Sequence, residues 1–153
     1  MKLTACSVFI LFALAFIPAI SADLLDKEAF AEGQKWDNKS ASLYSQGRFK
    51  EAVEPLEKAT ECYKKGLGPN HRWVGDNYTH LGNMYFNLKD YKHAEINYKA
   101  ALKIFQSTNG SCQMGDALKN YATILRSTNR IAEAEKLEKT QSSCPAPEQQ
   151  NKK

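Results

Sequence analysis

The chain has 153 residues, of which 42% are hydrophobic, and its 21 basic and 17 acidic residues leave a formal net charge of +4. This length fits a single domain, and the apolar content is sufficient for a packed core, which excludes a wholly disordered chain. The positive charge is small and scattered along the sequence, so the composition argues against a nucleic-acid-binding protein.

Residues 1–22 have the layout of a secretory signal peptide. Lys2 is followed by an apolar stretch over 5–17 and then by the small-residue segment Ala19-Ile20-Ser21-Ala22, which predicts cleavage after Ala22. The apolar stretch is shorter than the roughly 20 residues that cross a bilayer as a helix. We therefore expect export with no stable membrane insertion after cleavage; a retained membrane anchor is the alternative.

A short sequence frame recurs three times in the rest of the chain. The copies are Gly47-Arg48-Phe49-Lys50-Glu51-Ala52, Lys89-Asp90-Tyr91-Lys92-His93-Ala94 and Asn129-Arg130-Ile131-Ala132-Glu133-Ala134. Their final alanines are separated by 42 and 40 residues. Similarity at such a period indicates a repeat architecture in which each copy is one supersecondary unit.

Each frame is preceded by an apolar stripe at helical spacing, so each unit is predicted to be a helix, a short turn and a second helix. Small residues occupy equivalent positions in the stripes, where two helices must approach closely. The stripes are Trp36, Lys39, Ser40 and Leu43, then Tyr78, Leu81, Gly82 and Tyr85, then Leu118, Tyr121, Ala122 and Leu125.

This pattern resembles the tetratricopeptide repeat, and its longer period and the connector over 67–74 are similar to the variant found in kinesin light chains. The residues of the second unit that match the hallmark positions are Gly82, Tyr85, Tyr91, Ala94, Tyr98 and Ala101. The resemblance implies an all-α fold, a right-handed α-solenoid of three helix-turn-helix units at about 33–66, 75–108 and 115–146. These units make up a domain over 23–146, followed by a flexible C-terminal tail over 147–153.

Three residues depart from the family pattern. Lys39 stands at a position that usually holds leucine, and Glu138 and Gln141 are polar where the other units are apolar. Terminal repeats need a wettable outer face because nothing stacks beyond them. We therefore interpret the first unit as an atypical leading cap and the last helix as a polar trailing cap.

The resemblance further implies that the first helix of each unit lines a concave surface, which we expect to bind a protein or peptide. Asparagines there suit an extended peptide, because one amide donates to a backbone C=O and accepts from an N–H. The alternative is a solvated helix face without a partner. The predicted contact residues, acidic toward one end and basic toward the other, are Asp37, Asn38, Tyr44, Asp76, Thr79, His80, Asn83, Phe86, Asn87, Lys119, Asn120 and Arg126.

Three cysteines follow the predicted signal peptide. Cys112 precedes the first helix of the third unit and Cys144 ends its second helix, so antiparallel packing predicts a Cys112–Cys144 disulfide. Cys62 is then left as an inert, half-buried thiol or as a partner for an intermolecular bond.

The sequence contains no catalytic or metal-binding pattern. Its three histidines share no ligand spacing with cysteines or acidic residues, and it has no nucleophile elbow, phosphate loop or HExxH motif. We expect a non-enzymatic protein without cofactor or metal.

These features predict an exported scaffold that holds a protein or peptide segment in its groove. A structural subunit of a cell-envelope assembly that uses its outer helices, and a secreted effector acting on host proteins, are the alternatives. Two of the N-x-S/T sequons, at Asn38 and Asn77, fall within predicted helices. A glycan there would obstruct packing or the groove, which favours bacterial export to the periplasm or the exterior.

Overall fold

The computed structural model describes residues 27–108 and 114–142. Within these ranges the chain forms six α-helices and no strand, which confirms the predicted all-helical fold. The helices are α1 over 27–45, α2 Phe49–Leu67, α3 Arg72–Asn87, α4 Tyr91–Ser107, α5 Met114–Ser127 and α6 Ile131–Ser142. The predicted signal peptide, the predicted tail, Cys112 and Cys144 lie outside the described residues.

Consecutive helices pack as three antiparallel pairs, α1 with α2, α3 with α4 and α5 with α6, and the pairs stack into an α-solenoid. One apolar cluster lies between the first and second pairs and another between the second and third, with Tyr78 packed against both. None of the helices over 27–108 and 114–142 combines the length and apolar character needed to span a bilayer.

The two helices of each pair are joined by the same tight turn. Gly47, Lys89 and Asn129 have φ values of 74°, 62° and 60°, which is the left-handed conformation common just after a helix C-terminus. In each turn the next backbone N–H donates to a carbonyl five residues earlier, as in a Schellman motif. The N···O distances are 3.0 Å for Arg48 to Leu43, 2.9 Å for Asp90 to Tyr85 and 2.7 Å for Arg130 to Leu125.

Small residues allow the close approach of paired helices that the sequence predicts. Ser40 is buried on α1 and its hydroxyl donates to the Ala52 carbonyl of α2 at 2.8 Å. A Cβ atom added to Gly82 of α3 would lie 2.6 Å from Cε1 of Tyr98 on α4. Because an atom cannot occupy that space, glycine is required where the Tyr98 ring crosses α3.

The polar residues at the ends of the solenoid have partners of their own. The Lys39 ammonium lies 5.2 Å from the centroid of the Trp36 ring, a cation–π contact on α1. Glu138 of α6, at a position that is apolar in the other units, receives hydrogen bonds from the Arg126 guanidinium of α5 at 3.1 and 2.8 Å. Lys39 and Glu138 are therefore accommodated by local contacts of the terminal units.

An ion-pair network around Glu95 joins α4, α5 and α6. The Glu95 carboxylate accepts hydrogen bonds from the Tyr121 hydroxyl at 2.8 Å and from the Arg130 guanidinium at 2.7 Å. The Lys99 ammonium lies 2.6 Å from the same carboxylate. Burial opposes ionisation of Glu95, but hydrogen bonds from Lys99, Arg130 and Tyr121 outweigh it and lower the pKa of Glu95 to about 2.

Replacing Glu95 with glutamine is expected to lower the free energy of unfolding by about 1–2 kcal/mol at pH 7. The folded-state pKa lies below the model-compound value of 4.5, so the carboxylate stabilises the fold above that pH and loses this contribution as the pH falls toward 2. Urea titrations should therefore show a smaller difference between the two proteins at pH 3 than at pH 7. The exposed Glu57→Gln variant is the control, and equal destabilisation by both substitutions would contradict this role of the network.

Candidate functional site

Three adjoining cavities follow the surface formed mainly by α1, α3 and α5. The central cavity, of about 380 Å³, is lined by Asp37, Asn38, Ser40, Ala41, Tyr44, Leu56, His80, Asn83 and Met84. The asparagine cavity, of about 260 Å³, is lined by Tyr44, Asn83, Phe86, Asn87, Asn120 and Thr123. The aromatic cavity, of about 200 Å³, is lined by Asp37, Tyr63, Trp73, Asp76, Asn77 and His80.

The cavities share residues and so form one groove. Tyr44 and Asn83 border both the central and the asparagine cavity, whereas Asp37 and His80 border both the central and the aromatic cavity. The predicted contact residues that line the groove are Asp37, Asn38, Tyr44, Asp76, His80, Asn83, Phe86, Asn87 and Asn120.

A hydrogen-bonded pair of asparagines lies between the second and third units. Oδ1 of Asn83 on α3 accepts from the Tyr98 hydroxyl at 2.6 Å and from Nδ2 of Asn120 on α5 at 2.7 Å. Within the described residues, Nδ2 of Asn83 and Oδ1 of Asn120 have no hydrogen-bond partner. The pair therefore offers one donor and one acceptor in the asparagine cavity.

Two partly exposed aromatic rings border the same cavity. Tyr44, with 38% of its surface exposed, packs edge-on against Phe49, with ring centroids 5.2 Å apart. Phe86 packs against Tyr91 at 5.8 Å. Both rings are supported by a neighbouring ring and remain partly exposed, so they are positioned to contact a bound segment. The Lys89 ammonium lies 5.7 Å from the centroid of the Phe86 ring, which leaves Tyr44 as the more accessible of the two.

The placements of Thr79, Lys119 and Arg126 differ from the sequence expectation. Thr79 is only 8% exposed, and its hydroxyl donates to the Gly75 carbonyl at 3.1 Å, so it is withdrawn from the groove. Arg126 is paired with Glu138, as described above, because the antiparallel α6 brings that carboxylate beside it. Lys119 is exposed on α5 but does not line any of the three cavities. The predicted basic end of the groove is therefore weaker than the sequence implies.

The aromatic cavity contains residues that were not predicted from the sequence. Tyr63 is at the end of α2 and Trp73 is at the start of α3, after the connector between the first two units. Tyr63 donates a long hydrogen bond of 3.4 Å to Oδ2 of Asp37. Burial raises the pKa of Asp37, and the nearby His80 and the Tyr63 hydroxyl act in the opposite direction. Burial, together with the Asp37 carboxylate, raises the pKa of Tyr63 to about 12.

Other candidate residues are accounted for by packing. Asn77 is buried and donates to the Thr60 hydroxyl at 3.3 Å, so this sequon is inaccessible in the folded chain. Cys62 is a free, half-buried thiol whose pKa is raised by burial, which disfavours the reactive thiolate. In the described part of the chain, no group of three or more His, Cys, Asp or Glu side chains could hold a metal ion.

Comparison with known proteins identifies the repeats. Residues 32–107, which span the first two helix pairs from within α1 to the end of α4, match the family model described as tetratricopeptide repeat. No curated protein matches the chain. The family match and the stacked helix pairs together support tetratricopeptide repeats in this part of the chain, and such repeats suggest protein–protein interaction.

Proposed function

We propose that this chain is an exported, non-enzymatic interaction module that holds an extended peptide, or an extended segment of a protein, in its groove. The observation that carries the proposal is the Asn83–Asn120 pair, whose free donor and free acceptor lie in one cavity. An extended backbone presents alternating C=O and N–H groups, so it can satisfy both amides at once.

The asparagine pair is held in place before a partner arrives. The Tyr98 side chain is fully buried, and its hydroxyl fixes the Asn83 amide through the 2.6 Å hydrogen bond. Asn120 is fixed in turn by its bond to Asn83. Groups that are already ordered lose less rotamer entropy on binding, which increases the affinity obtained from each hydrogen bond.

The central cavity supplies an apolar contact next to the backbone contact. The buried side chains of Leu56 and Met84 line it, and Tyr44 borders it. An extended segment places successive side chains on opposite sides, so a residue near the one bound by the asparagines would insert an apolar side chain here.

The outer surface gives little support to the alternative of a structural subunit. Ile96 of α4 is 55% exposed, but exposed lysines at 92, 99 and 103 occupy the same helical face. Single exposed apolar residues are common on soluble proteins and do not constitute an interface.

Export is inferred from the signal-peptide layout of residues 1–22 and points to the periplasm or the exterior of a bacterial cell. We also infer that the repeats are the longer variant similar to kinesin light chains, because their periods are 42 and 40 residues. Intact mass measurement of the protein recovered outside the cytoplasm should give a chain that begins at Asp23; a full-length chain in the cytoplasm would contradict export.

Peptide binding is tested by panning the purified protein against a displayed library of random nonapeptides and measuring the affinity of the enriched sequences by calorimetry. We expect enriched peptides with dissociation constants on the order of 1–10 μM, each with an apolar residue for the central cavity. Recovery of no peptide above background would contradict the proposal, as would enriched peptides that bind equally well to protein denatured in urea.

A further inference from the structure

The aromatic cavity combines two kinds of group that attract a cation. The rings of Tyr63 and Trp73 and the carboxylates of Asp37 and Asp76 all line it, and among the described residues no lysine or arginine does. Ring faces and carboxylates are both negative in potential, so a cation between them gains from each. The cavity volume of about 200 Å³ admits a side chain but not a folded element.

The Trp73 ring is held rigidly with one part of its surface open. Its centroid lies 5.1 Å from that of Phe30 and 5.2 Å from that of Tyr63, which fixes its position between α1 and α2. The residue nevertheless remains 37% exposed. An ordered tryptophan with an accessible face is a pre-formed platform for stacking.

The second tryptophan of the chain provides a comparison. The Trp36 ring already has the Lys58 ammonium at 4.5 Å and the Lys39 ammonium at 5.2 Å from its centroid. Within the described residues, no such cation lies over Trp73 or Tyr63. Because Tyr63 is only 1% exposed and Trp73 is 37% exposed, the ring available to a cation from outside the chain is that of Trp73.

The carboxylates of Asp37 and Asp76 can also accept further hydrogen bonds. The hydrogen bond that Asp37 receives from described residues is the 3.4 Å contact with Tyr63, although a carboxylate accommodates about four donors. Asp76 is paired with Arg72 at 3.4 Å, across an exposed i,i+4 contact in which the Arg72 side chain is 59% exposed. In the described ranges, His80 and Tyr63 are the other titratable groups that line the cavity with them.

We propose that the aromatic cavity is a subsite for an arginine side chain of the bound segment, which stacks on Trp73 and pairs with Asp37. Guanidinium is favoured over ammonium because it is planar, stacks on aromatic faces and donates two parallel hydrogen bonds to one carboxylate. The subsite rests on the proposed function, since it shares Asp37 and His80 with the central cavity and so lies on the same groove.

The subsite can be tested without knowing the natural partner. The probe is Nα-acetyl-arginine N-methylamide, titrated into the purified protein while the two tryptophan indole N–H signals are followed by NMR. We expect the Trp73 signal to shift saturably, with a dissociation constant on the order of 1–10 mM. The Trp36 signal should not shift, because lysines already cover that ring. The citrulline derivative has the same shape without the charge and should shift neither signal.

Variants identify the residues responsible. Asp37→Asn should raise the dissociation constant of the arginine probe at least fivefold, whereas Glu57→Gln, which removes one negative charge from an exposed site on α2, should leave it unchanged. Equal shifts with the citrulline probe, or an unchanged affinity in Asp37→Asn, would overturn the subsite. A lysine probe that binds as tightly as arginine would overturn the guanidinium assignment.

The test of the arginine subsite and the test of peptide binding in the groove can give different results. Selected peptides that bind the groove without any basic residue, combined with no response to the arginine probe, would remove the subsite and leave the proposed function standing. A saturable arginine response without any peptide binding would keep the arginine site and contradict peptide binding in the groove.

Discussion

Replacing Gly82 with alanine is expected to lower the free energy of unfolding by about 1–2 kcal/mol, which is opposite in sign to the usual effect. Alanine in place of glycine inside a helix normally gains about 1 kcal/mol. Here the new Cβ would lie 2.6–2.8 Å from three atoms of the Tyr98 ring, and that ring is fully buried. Overpacking of a rigid core costs about 1–3 kcal/mol or more, and the clash therefore outweighs the helix propensity.

Urea unfolding of a double-mutant cycle tests this cause. In a Tyr98→Leu background the ring is absent, so Gly82→Ala should cost less than about 0.5 kcal/mol or become stabilising. The coupling between the two sites identifies the ring as the source of the cost. A stabilising effect of Gly82→Ala in the wild-type background would mean that α3 and α4 do not approach as closely as described.

Removing both asparagines of the groove is expected to weaken selected peptides at least thirtyfold. Each lost hydrogen bond to the peptide backbone costs about 1–1.5 kcal/mol, and two such bonds correspond to roughly 30- to 150-fold in affinity. Asn83→Ala alone would also leave the buried Tyr98 hydroxyl without its acceptor. The binding measurement therefore uses Asn83→Ala and Asn120→Ala in a Tyr98→Phe background, by calorimetry.

Two controls separate binding from folding in this experiment. Tyr98→Phe alone is the reference protein: it loses only the ordering of the Asn83 amide, so the two asparagine substitutions should weaken binding at least thirtyfold further in that background. Asn70→Ala with Asn97→Ala removes two asparagines that do not line the three groove cavities and should have no effect. If the control pair weakened binding as much as the groove pair, the asparagine cavity would not be the binding site.

The helix pairs could be predicted from the sequence because the same residue types recur at equivalent positions of each repeat. Small residues at positions 40, 82 and 122 recur where paired helices approach, and Gly47, Lys89 and Asn129 recur in the left-handed position of the turn. The groove position of Asn83 and Asn120 followed from the same register. The hydrogen bond between Asn83 and Asn120 could not be predicted, because it depends on the rotation of the second unit relative to the third.

Three differences from the sequence expectation have local physical causes. Thr79 was assigned to the groove by helical register, but its hydroxyl bonds to the carbonyl four residues earlier and the side chain is buried. Helical register places Arg126 on the groove, but the antiparallel α6 brings Glu138, twelve residues later in the sequence, within hydrogen-bond distance of it. The aromatic cavity was missed because its rings come from different helices around a connector, where the repeat pattern predicts no contact.

The most direct test of the groove is the structure of the protein with a peptide selected by panning. We predict an extended peptide along α1, α3 and α5, with a backbone C=O and N–H bonded to Asn83 and Asn120 and an apolar side chain in the central cavity. A peptide bound instead to the outer faces of α2, α4 and α6, with the asparagine cavity unfilled, would contradict the account.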